Sequence, residues 1–178
     1  MNTTKSMQTL ILGGARSGKS RYAEQLALQS QKSVVYIATA QAQDAEMQTR
    51  IQHHQASRSA EWLTLEEPLS LATTLAAQAQ PERILLVDCL TLWLTNLLCL
   101  EDSEQRLTSE LNTLYAVLPQ LSGELILVSN ETGLGVVPLG ELTRRYVDEA
   151  GRMHQRLAAQ MQQVIFMIAG LPQVLKST

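Results

Sequence analysis

Residues 8–30 read QTLILGGARSGKSRYAEQLALQS, and this stretch decides the fold. Within it, residues 13–20 (GGARSGKS) match the pattern G-x-x-x-x-G-K-[ST] of a phosphate-binding loop. The apolar segment TLIL precedes the loop, and the segment SRYAEQLAL, which has helical spacing, follows it. A phosphate loop joins a strand to a helix N-terminus, so both flanks agree with the motif. The sequence therefore predicts a P-loop α/β fold.

Each part of such a loop has a chemical task. Small residues let backbone N–H groups approach phosphate oxygens, and the helix N-terminus adds partial positive charge. Lys19 is expected to contact the β- and γ-phosphates of a bound nucleoside triphosphate as a catalytic residue, and the Ser20 hydroxyl to ligate Mg²⁺. The predicted nucleotide-binding residues of the loop are Gly13, Gly14, Ala15, Arg16, Ser17, Gly18, Lys19 and Ser20.

The rest of the chain alternates strand-length apolar runs with segments of helical spacing. This alternation is typical of an α/β domain with a mainly parallel sheet flanked by helices. In such sheets ligands bind beyond the carboxyl ends of the strands. The predicted strands are Gln8–Leu12, Val34–Ala38, Ile84–Asp88, Leu125–Ser129 and Val164–Ile168, and the predicted helices are 18–30, 44–57, 68–79, 91–118 (with a break near 101–103) and 141–161.

Length, charge and cysteine content narrow the class of protein. A chain of 178 residues fits one domain. A net charge of -3 argues against broad nucleic-acid binding. Cys89 and Cys99 form no CxxC pair, so a reducing cytoplasmic location is expected. The most apolar stretch, Leu90 to Leu100, is shorter than the roughly 20 residues of a membrane span, so no membrane insertion is expected.

An acidic residue ends one of the predicted strands. Asp88 follows ILLV and should emerge near the phosphate loop, where a carboxylate of this kind holds Mg²⁺ directly or through water. The alternative is an ordinary helix cap, which Asp also favours. Because the phosphate loop is present, metal binding is the preferred interpretation of Asp88.

Two adjacent histidines lie in the predicted helix 44–57. At about 100° per residue, Met47, Ile51 and His54 share one stripe, whereas His53 falls beside Thr49. His54 thus points with the apolar side chains toward the protein body. A neutral imidazole there could act as a nucleophile on phosphorus or as a general base, and periodicity alone leaves open a buried structural histidine.

A set of motifs, in order from residue 8 to the end, resembles one known family, the bifunctional adenosylcobinamide kinase / adenosylcobinamide-phosphate guanylyltransferases of cobalamin biosynthesis. The phosphate loop alone is generic, but GGARSGKSR joined with QHH and SNE-x-G-x-G is specific. The motifs are GGARSGKSRYAE, YIATA, RIQHHQASR, WLTLEEP, LLVDCLTLWLTNLL, VSNETGLGVVP, RRYVDEAGRMHQRLA and AGLPQVLK.

The resemblance implies a two-step chemistry on a single RecA-like P-loop NTPase domain, residues 8–178, preceded by a polar tail, residues 1–7. ATP or GTP would phosphorylate adenosylcobinamide, and GMP would then pass from GTP through a guanylyl-histidine, on His54, to that phosphate. The resemblance also implies a homotrimer, and it gives His154 no catalytic role. The further nucleotide contacts that it implies are Ala38, Thr39, Gln55, Ala56, Ser57, Arg58, Glu66 and Asp88.

Glu66 has a physical rationale of its own. A carboxylate can accept hydrogen bonds from N1–H and N2–H₂ of guanine and so prefer that base over adenine. Arg58 could neutralise phosphate charge. A solvated acid beside Glu67 and an ordinary surface arginine are the respective alternatives. For Gln55, Ala56 and Ser57, backbone contacts are expected rather than side-chain contacts.

Two segments have open interpretations. Asn130 to Gly135 (NETGLG) follows a predicted strand, so Asn130 and Glu131 could orient substrate or a catalytic water, or could form a tight turn. The helix after Asp88 is apolar on nearly every side, which indicates either deep burial or a subunit interface. For the whole chain, the rival functions are a plain small-molecule kinase and a non-catalytic P-loop switch.

Overall fold

A mainly parallel sheet organises the part of the chain that the computed structural model describes, residues 6–41 and 61–178. Apolar, β-branched-rich runs form its inner strands, because helices cover both faces and leave no polar side. In chain order the strands are β1 (Gln8–Gly13), β2 (Ser33–Ala38), β3 (Leu63–Glu66), β4 (Arg83–Asp88), β5 (Glu124–Asn130), β6 (Gln163–Ile168) and β7 (Leu171–Ser177).

The spatial order of these strands is β3-β2-β4-β5-β1-β6-β7. Every neighbouring pair is parallel except β6 and β7, which form an antiparallel hairpin at one edge. The register places Gly13 beside Asn130 and aligns Ala38 with both Asp88 and Glu66. The parallel strands thus end at a common edge, where the predicted site residues of the described ranges lie.

Helices connect the parallel strands. The predicted break near 101–103 is confirmed, because the segment 91–118 divides into two helices at that point. The predicted helix 44–57 lies outside the described residues. Within the described ranges the helices are α1 (Lys19–Gln29), α2 (Leu71–Gln78), α3 (Leu90–Leu98), α4 (Ser103–Val117), a short 3₁₀ turn (Leu118–Gln120) and α5 (Glu141–Gln160).

All five predicted strands are present, and two further strands, β3 and β7, were missed. The β3 strand has only four residues, and its side chains are largely exposed, so it carries no continuous apolar signal. The β7 strand reads LPQVLKS, and it tolerates Pro172 because it lies at the sheet edge with one neighbour. Between β6 and β7, Ala169 and Gly170 both have positive φ, as a two-residue hairpin turn requires.

The apolar helix α3 lies in the core. Leu90, Trp93, Leu94 and Leu97 are fully buried in the cluster that packs against the sheet. The Trp93 indole N–H donates to the carbonyl oxygen of Leu69 over 2.7 Å, so its one polar group is satisfied. Of the two interpretations of this helix, core burial is therefore the correct one. None of the helices in the described ranges has the length and apolar character to cross a bilayer.

Candidate functional site

The backbone of the phosphate loop requires glycine at two positions. A Cβ on Gly13 would lie 2.5 Å from the carbonyl oxygen of Met167 and 2.8 Å from Ser17 Oγ, so no larger residue fits. Gly18, the residue before α1, has φ 96°, a conformation that other residues rarely adopt. These glycines let the chain fold tightly ahead of the helix, where its N–H groups can face an anion.

The β6–β7 hairpin supports the loop from the side. The Gly170 N–H donates to the carbonyl oxygen of Ser17 over 3.0 Å, and the Cα of Gly170 lies 3.3 Å from where a Cβ on Gly18 would be. The sequence motif AGLPQVLK belongs to this hairpin, but the spacing of its residues did not predict a structural role for it. The hairpin turn therefore fixes the phosphate loop through backbone contacts that residue types alone do not reveal.

Lys19 is positioned at the centre of the loop. Its Nζ donates to the carbonyl oxygen of Gly14 over 2.6 Å and reaches Ser17 Oγ at 3.5 Å. The residue is only 7% exposed. Burial lowers the pKa of Lys19 below its ordinary value, while the negative charge of Asp88 opposes that shift. A buried ammonium beside a carboxylate and a helix N-terminus is well placed to bind phosphate oxygens.

Asp88 and Ser20 are the two predicted metal ligands. Asp88 is the last residue of β4 and is half-buried. Its Oδ2 accepts a hydrogen bond from the Tyr36 hydroxyl over 3.0 Å. Ser20 lies in the first turn of α1. Among the described residues no group of three or more His, Cys, Asp or Glu side chains could hold a metal. One carboxylate and one hydroxyl fit Mg²⁺, which binds few protein ligands and completes its shell with water and substrate phosphates.

Ala38 ends β2 at the same edge, and Thr39 follows it. The Thr39 hydroxyl donates to the carbonyl oxygen of Cys89 over 2.6 Å and accepts from the Cys89 N–H over 3.0 Å. The peptide bond between Asp88 and Cys89 is cis. Asn96 Nδ2 donates to the Thr39 carbonyl oxygen over 2.9 Å. The Thr39 side chain is thus occupied in fixing the segment that carries Asp88.

Burial makes the Cys89 thiol unreactive. Desolvation, with the nearby charge of Asp88, raises the pKa of Cys89 to about 11. The thiolate is the reactive form of cysteine, so this side chain stays protonated at neutral pH. Both Cys89 and Cys99 are free thiols.

Glu66 and Glu67 have different environments. Glu66 is exposed at the end of β3, and Glu67 N–H donates to the Ala38 carbonyl oxygen over 2.8 Å, which ties this end of β3 to β2. The Glu67 carboxylate accepts from the N–H groups of Leu69 and Ser70 at 2.9 and 2.7 Å and from Thr74 Oγ1 at 2.9 Å. Glu67 therefore fixes the turn that leads into α2, whereas Glu66 remains available to a ligand.

The loop after β5 meets the phosphate loop directly. The Glu131 N–H donates to the carbonyl oxygen of Gly13 over 2.9 Å. Its Oε1 accepts from the Gly133 N–H over 2.5 Å, and its Oε2 lies 3.6 Å from His154 Nδ1. The backbone N–H of Asn130 donates to Thr91 Oγ1 over 2.8 Å. The predicted position of this loop at the nucleotide edge is confirmed.

His154 is the neighbour that sequence reasoning set aside. It projects from α5, is 6% exposed, and places Nε2 2.8 Å from Ser129 Oγ. Burial lowers the pKa of His154, while the charge of Glu131 opposes the shift. The sequence of α5 is strongly amphipathic, so a histidine facing the core could be predicted there. Its contact with Glu131, in the loop after β5, could not be predicted.

Five predicted site residues lie outside the described residues. They are the proposed nucleophile and the positions that follow it, namely His54, Gln55, Ala56, Ser57 and Arg58. The remaining predicted positions, in the phosphate loop and at the ends of β2, β3 and β4, lie along the common edge of the sheet.

Comparison with known proteins gives consistent relatives over nearly the whole chain. Residues 9–175 match the family model described as cobinamide kinase / cobinamide phosphate guanyltransferase. The bifunctional adenosylcobalamin biosynthesis protein CobP of Pseudomonas aeruginosa is 63% identical, covering 96% of this chain and 98% of that protein. The CobU proteins of Salmonella typhimurium and Escherichia coli, with the same description, are 40% and 37% identical, each over 93% of this chain and 97% of theirs.

Solved structures share the fold at low sequence identity. A protein from Pyrococcus horikoshii OT3 aligns with a TM-score of 0.57 and 10% identity, over 96% of this chain and 86% of that one. The RadB recombinase aligns with a TM-score of 0.50 and 15% identity, over 90% of this chain and 73% of that one. These similarities confirm the predicted P-loop α/β fold.

Proposed function

Because the chain belongs to the cobinamide kinase / cobinamide phosphate guanyltransferase family, we propose that it acts twice on one substrate. It first phosphorylates the side-chain hydroxyl of adenosylcobinamide with ATP or GTP. It then transfers GMP from GTP to that phosphate, which releases pyrophosphate and yields adenosylcobinamide-GDP. Residues 8–178 form the domain that carries both steps.

The buried Lys19 in its glycine-framed loop is the observation that carries this proposal. Its ammonium lies at the N-terminus of α1 and donates to the Gly14 carbonyl oxygen, which a phosphate oxygen can replace as acceptor. Backbone N–H groups of Gly13 to Ser20 neutralise the rest of the triphosphate charge. Ser20 and Asp88 would hold Mg²⁺, which supplies further charge neutralisation at the phosphates.

The second half-reaction is assigned to His54. A neutral imidazole attacks the α-phosphorus of GTP, the bond to the pyrophosphate oxygen breaks, and a guanylyl-histidine forms. An oxygen of adenosylcobinamide phosphate then displaces the imidazole. Two sequence features support His54 over His53: the family motif QHH and the apolar helical stripe that His54 shares with Ile51.

Nucleotide selection is assigned to the outer strands. Glu66, exposed at the end of β3, would accept hydrogen bonds from guanine. Ala38 and Thr39 would contribute backbone contacts at the end of β2. The remaining contacts of this proposal follow the histidine, with Arg58 on phosphate and the backbone of Gln55, Ala56 and Ser57 on the nucleotide.

Assembly into a homotrimer completes the proposal. The loop between β5 and α5 exposes large apolar side chains, with Val136 at 95% and Leu139 at 97%, and Leu134 and Val137 also exposed. Exposed apolar groups this concentrated are typical of a protein interface. We place the enzyme in the cytoplasm, since two free thiols fit a reducing compartment.

One labelling experiment separates the possible functions. The protein is incubated with Mg²⁺ and GTP labelled at the α-phosphate, then tested for an acid-labile, base-stable label, and products with adenosylcobinamide are identified by mass spectrometry. We expect a labelled protein, loss of the label in His54→Ala, and retention in the matched His53→Ala. Phosphorylated product without any label would indicate a plain kinase. Slow hydrolysis of GTP, with neither a phosphorylated product nor a label on the protein, would indicate a nucleotide switch.

A further inference from the structure

Phosphoryl transfer to a hydroxyl requires a group that accepts its proton, and this requirement rests on the proposed kinase step. General bases act from within hydrogen-bond reach of that proton. Near the phosphate loop the described residues place two carboxylates, Asp88 and Glu131. Asp88 accepts from the Tyr36 hydroxyl, lies near the Lys19 charge and is assigned to the metal. Glu131 is the remaining carboxylate that can accept the proton of the substrate hydroxyl.

The position of Glu131 follows from the strand order. Its loop leaves β5, which lies between β4 with Asp88 and β1 with the phosphate loop. The hydrogen bond from Glu131 N–H to the Gly13 carbonyl oxygen fixes its backbone against the start of that loop. Its side chain is 20% exposed, so it is partly desolvated and still reachable by a substrate.

The two carboxylate oxygens of Glu131 have separate neighbours. Oε1 accepts from the Gly133 N–H over 2.5 Å, within the turn. Oε2 faces His154 Nδ1 at 3.6 Å. An ionised carboxylate has about four lone-pair positions, so accepting these contacts still leaves room for a substrate proton.

The tautomer of His154 follows from its partners. Ionised Glu131 can only accept, so the favourable arrangement has the proton on Nδ1. Nε2 must then accept from the Ser129 hydroxyl, which lies 2.8 Å away and is fully buried. The lowered pKa of His154 agrees with a neutral ring. His154 is thereby placed to orient Glu131 through the 3.6 Å contact of Nδ1 with Oε2.

We propose that Glu131 is the general base of the phosphoryl-transfer step and that His154 is its positioning residue. The O–H bond of the substrate hydroxyl breaks and its proton passes to Glu131. The hydroxyl oxygen forms a bond to the γ-phosphorus. The bond from that phosphorus to the β–γ bridging oxygen breaks, and the nucleoside diphosphate leaves with the electron pair.

The guanylyl-transfer step does not need this base. Its acceptor is a phosphate oxygen, which is already ionised at neutral pH, and its nucleophile toward GTP is an imidazole. Removing the carboxylate should therefore separate the two half-reactions, whereas a general loss of structure would reduce both.

The test compares both half-reactions in Glu131→Gln. Glutamine keeps the shape and an acceptor for Gly133 but cannot take the proton. We expect phosphorylation of adenosylcobinamide to fall about 10²- to 10⁴-fold. Label from GTP on the protein, and GMP transfer to adenosylcobinamide phosphate supplied ready-made, should persist. Wild-type phosphorylation rates in Glu131→Gln, or an equal loss of both half-reactions, would overturn the proposal.

Two substitutions of His154 test the positioning role. Asparagine places an amide near the position of Nδ1 and can still donate to Glu131, whereas glutamine reaches toward Ser129 and not toward Glu131. We expect His154→Asn to phosphorylate adenosylcobinamide at least tenfold faster than His154→Gln, with equal guanylyl labelling. Equal phosphorylation rates in the two would contradict the role. If the wild-type protein performs neither half-reaction, the proposed function fails instead.

Discussion

The backbone N–H of Glu131 donates a 2.9 Å hydrogen bond to the carbonyl oxygen of Gly13. This bond joins the loop after β5 to the first residue of the phosphate loop, so two motifs far apart in the sequence form one site. The β6–β7 hairpin touches the same loop through Gly170 and Met167. The phosphate loop is therefore held on both sides before any ligand binds.

The close packing around Gly13 predicts a large cost for its substitution. In Gly13→Ala, the new Cβ would overlap the Met167 carbonyl oxygen, so the loop or the hairpin must shift. We expect a loss of about 1–3 kcal/mol in the free energy of unfolding, measured by urea denaturation without nucleotide. The matched control is Gly14→Ala, whose Cβ would meet nothing within 4 Å. A similar loss in both variants would contradict this account.

Adjacent glutamates should have separable roles. Glu67 holds the turn before α2 through two backbone N–H groups and the Thr74 hydroxyl, so Glu67→Ala should lower the free energy of unfolding by about 1–2 kcal/mol. Glu66→Ala should change stability by less than about 0.5 kcal/mol. It should instead reduce the preference for GTP over ATP roughly tenfold, since bonds to a charged group are strong. Calorimetric titration measures the preference, and an unchanged ratio would exclude Glu66 from guanine recognition.

Burial of His154 predicts a pH-dependent stability. Its pKa lies below the ordinary value of 6.5 in the folded protein, so below that pH the unfolded chain binds the extra proton first. Stability contributed by the neutral ring is fully present above pH 6.5 and is lost as the pH falls toward the lowered pKa. Thermal unfolding of the wild type and of His154→Asn between pH 7.5 and 5, roughly the range over which histidine titrates, should show the steeper loss in the wild type. Parallel curves would mean that His154 is not a buried neutral imidazole.

Fold and phosphate loop could be predicted from the sequence because their signals are local. Strand, glycines, Lys19 and helix follow one another within residues 8–30, and each inner strand is a continuous apolar run. Nonlocal contacts carried no such signal. The pairing of His154 with Glu131 depends on how α5 packs behind β5, and the contact of Gly170 with Ser17 depends on an edge hairpin.

The burial of α3 could not be predicted from the sequence either, because it also depends on nonlocal packing. Its composition was compatible with a core or with an interface, and only the packing of Trp93 and Leu97 against the sheet decides for the core. The exposed apolar surface lies instead in the loop between β5 and α5. That loop includes glycines and Pro138 among its apolar residues, so it gives no periodic pattern.

The exposed loop predicts where the assembly can be disrupted. Val136→Asp and Leu139→Asp place charges on nearly fully exposed apolar positions, so they should convert a trimer to monomers by opposing burial. The matched control is Leu28→Asp, at an exposed leucine on α1. Light scattering during size-exclusion chromatography gives the mass of each. A wild-type monomer, or variants with the wild-type mass, would contradict assembly through this loop.

The central claim is that the Gly13–Ser20 loop holds a nucleoside triphosphate around Lys19, and a crystal structure with Mg²⁺ and a non-hydrolysable GTP analogue tests it most directly. We predict that the β- and γ-phosphates lie in this loop within hydrogen-bond reach of Lys19 Nζ, with the metal beside Ser20 and Asp88. A nucleotide bound elsewhere, with the Gly13–Ser20 loop empty, would contradict the account.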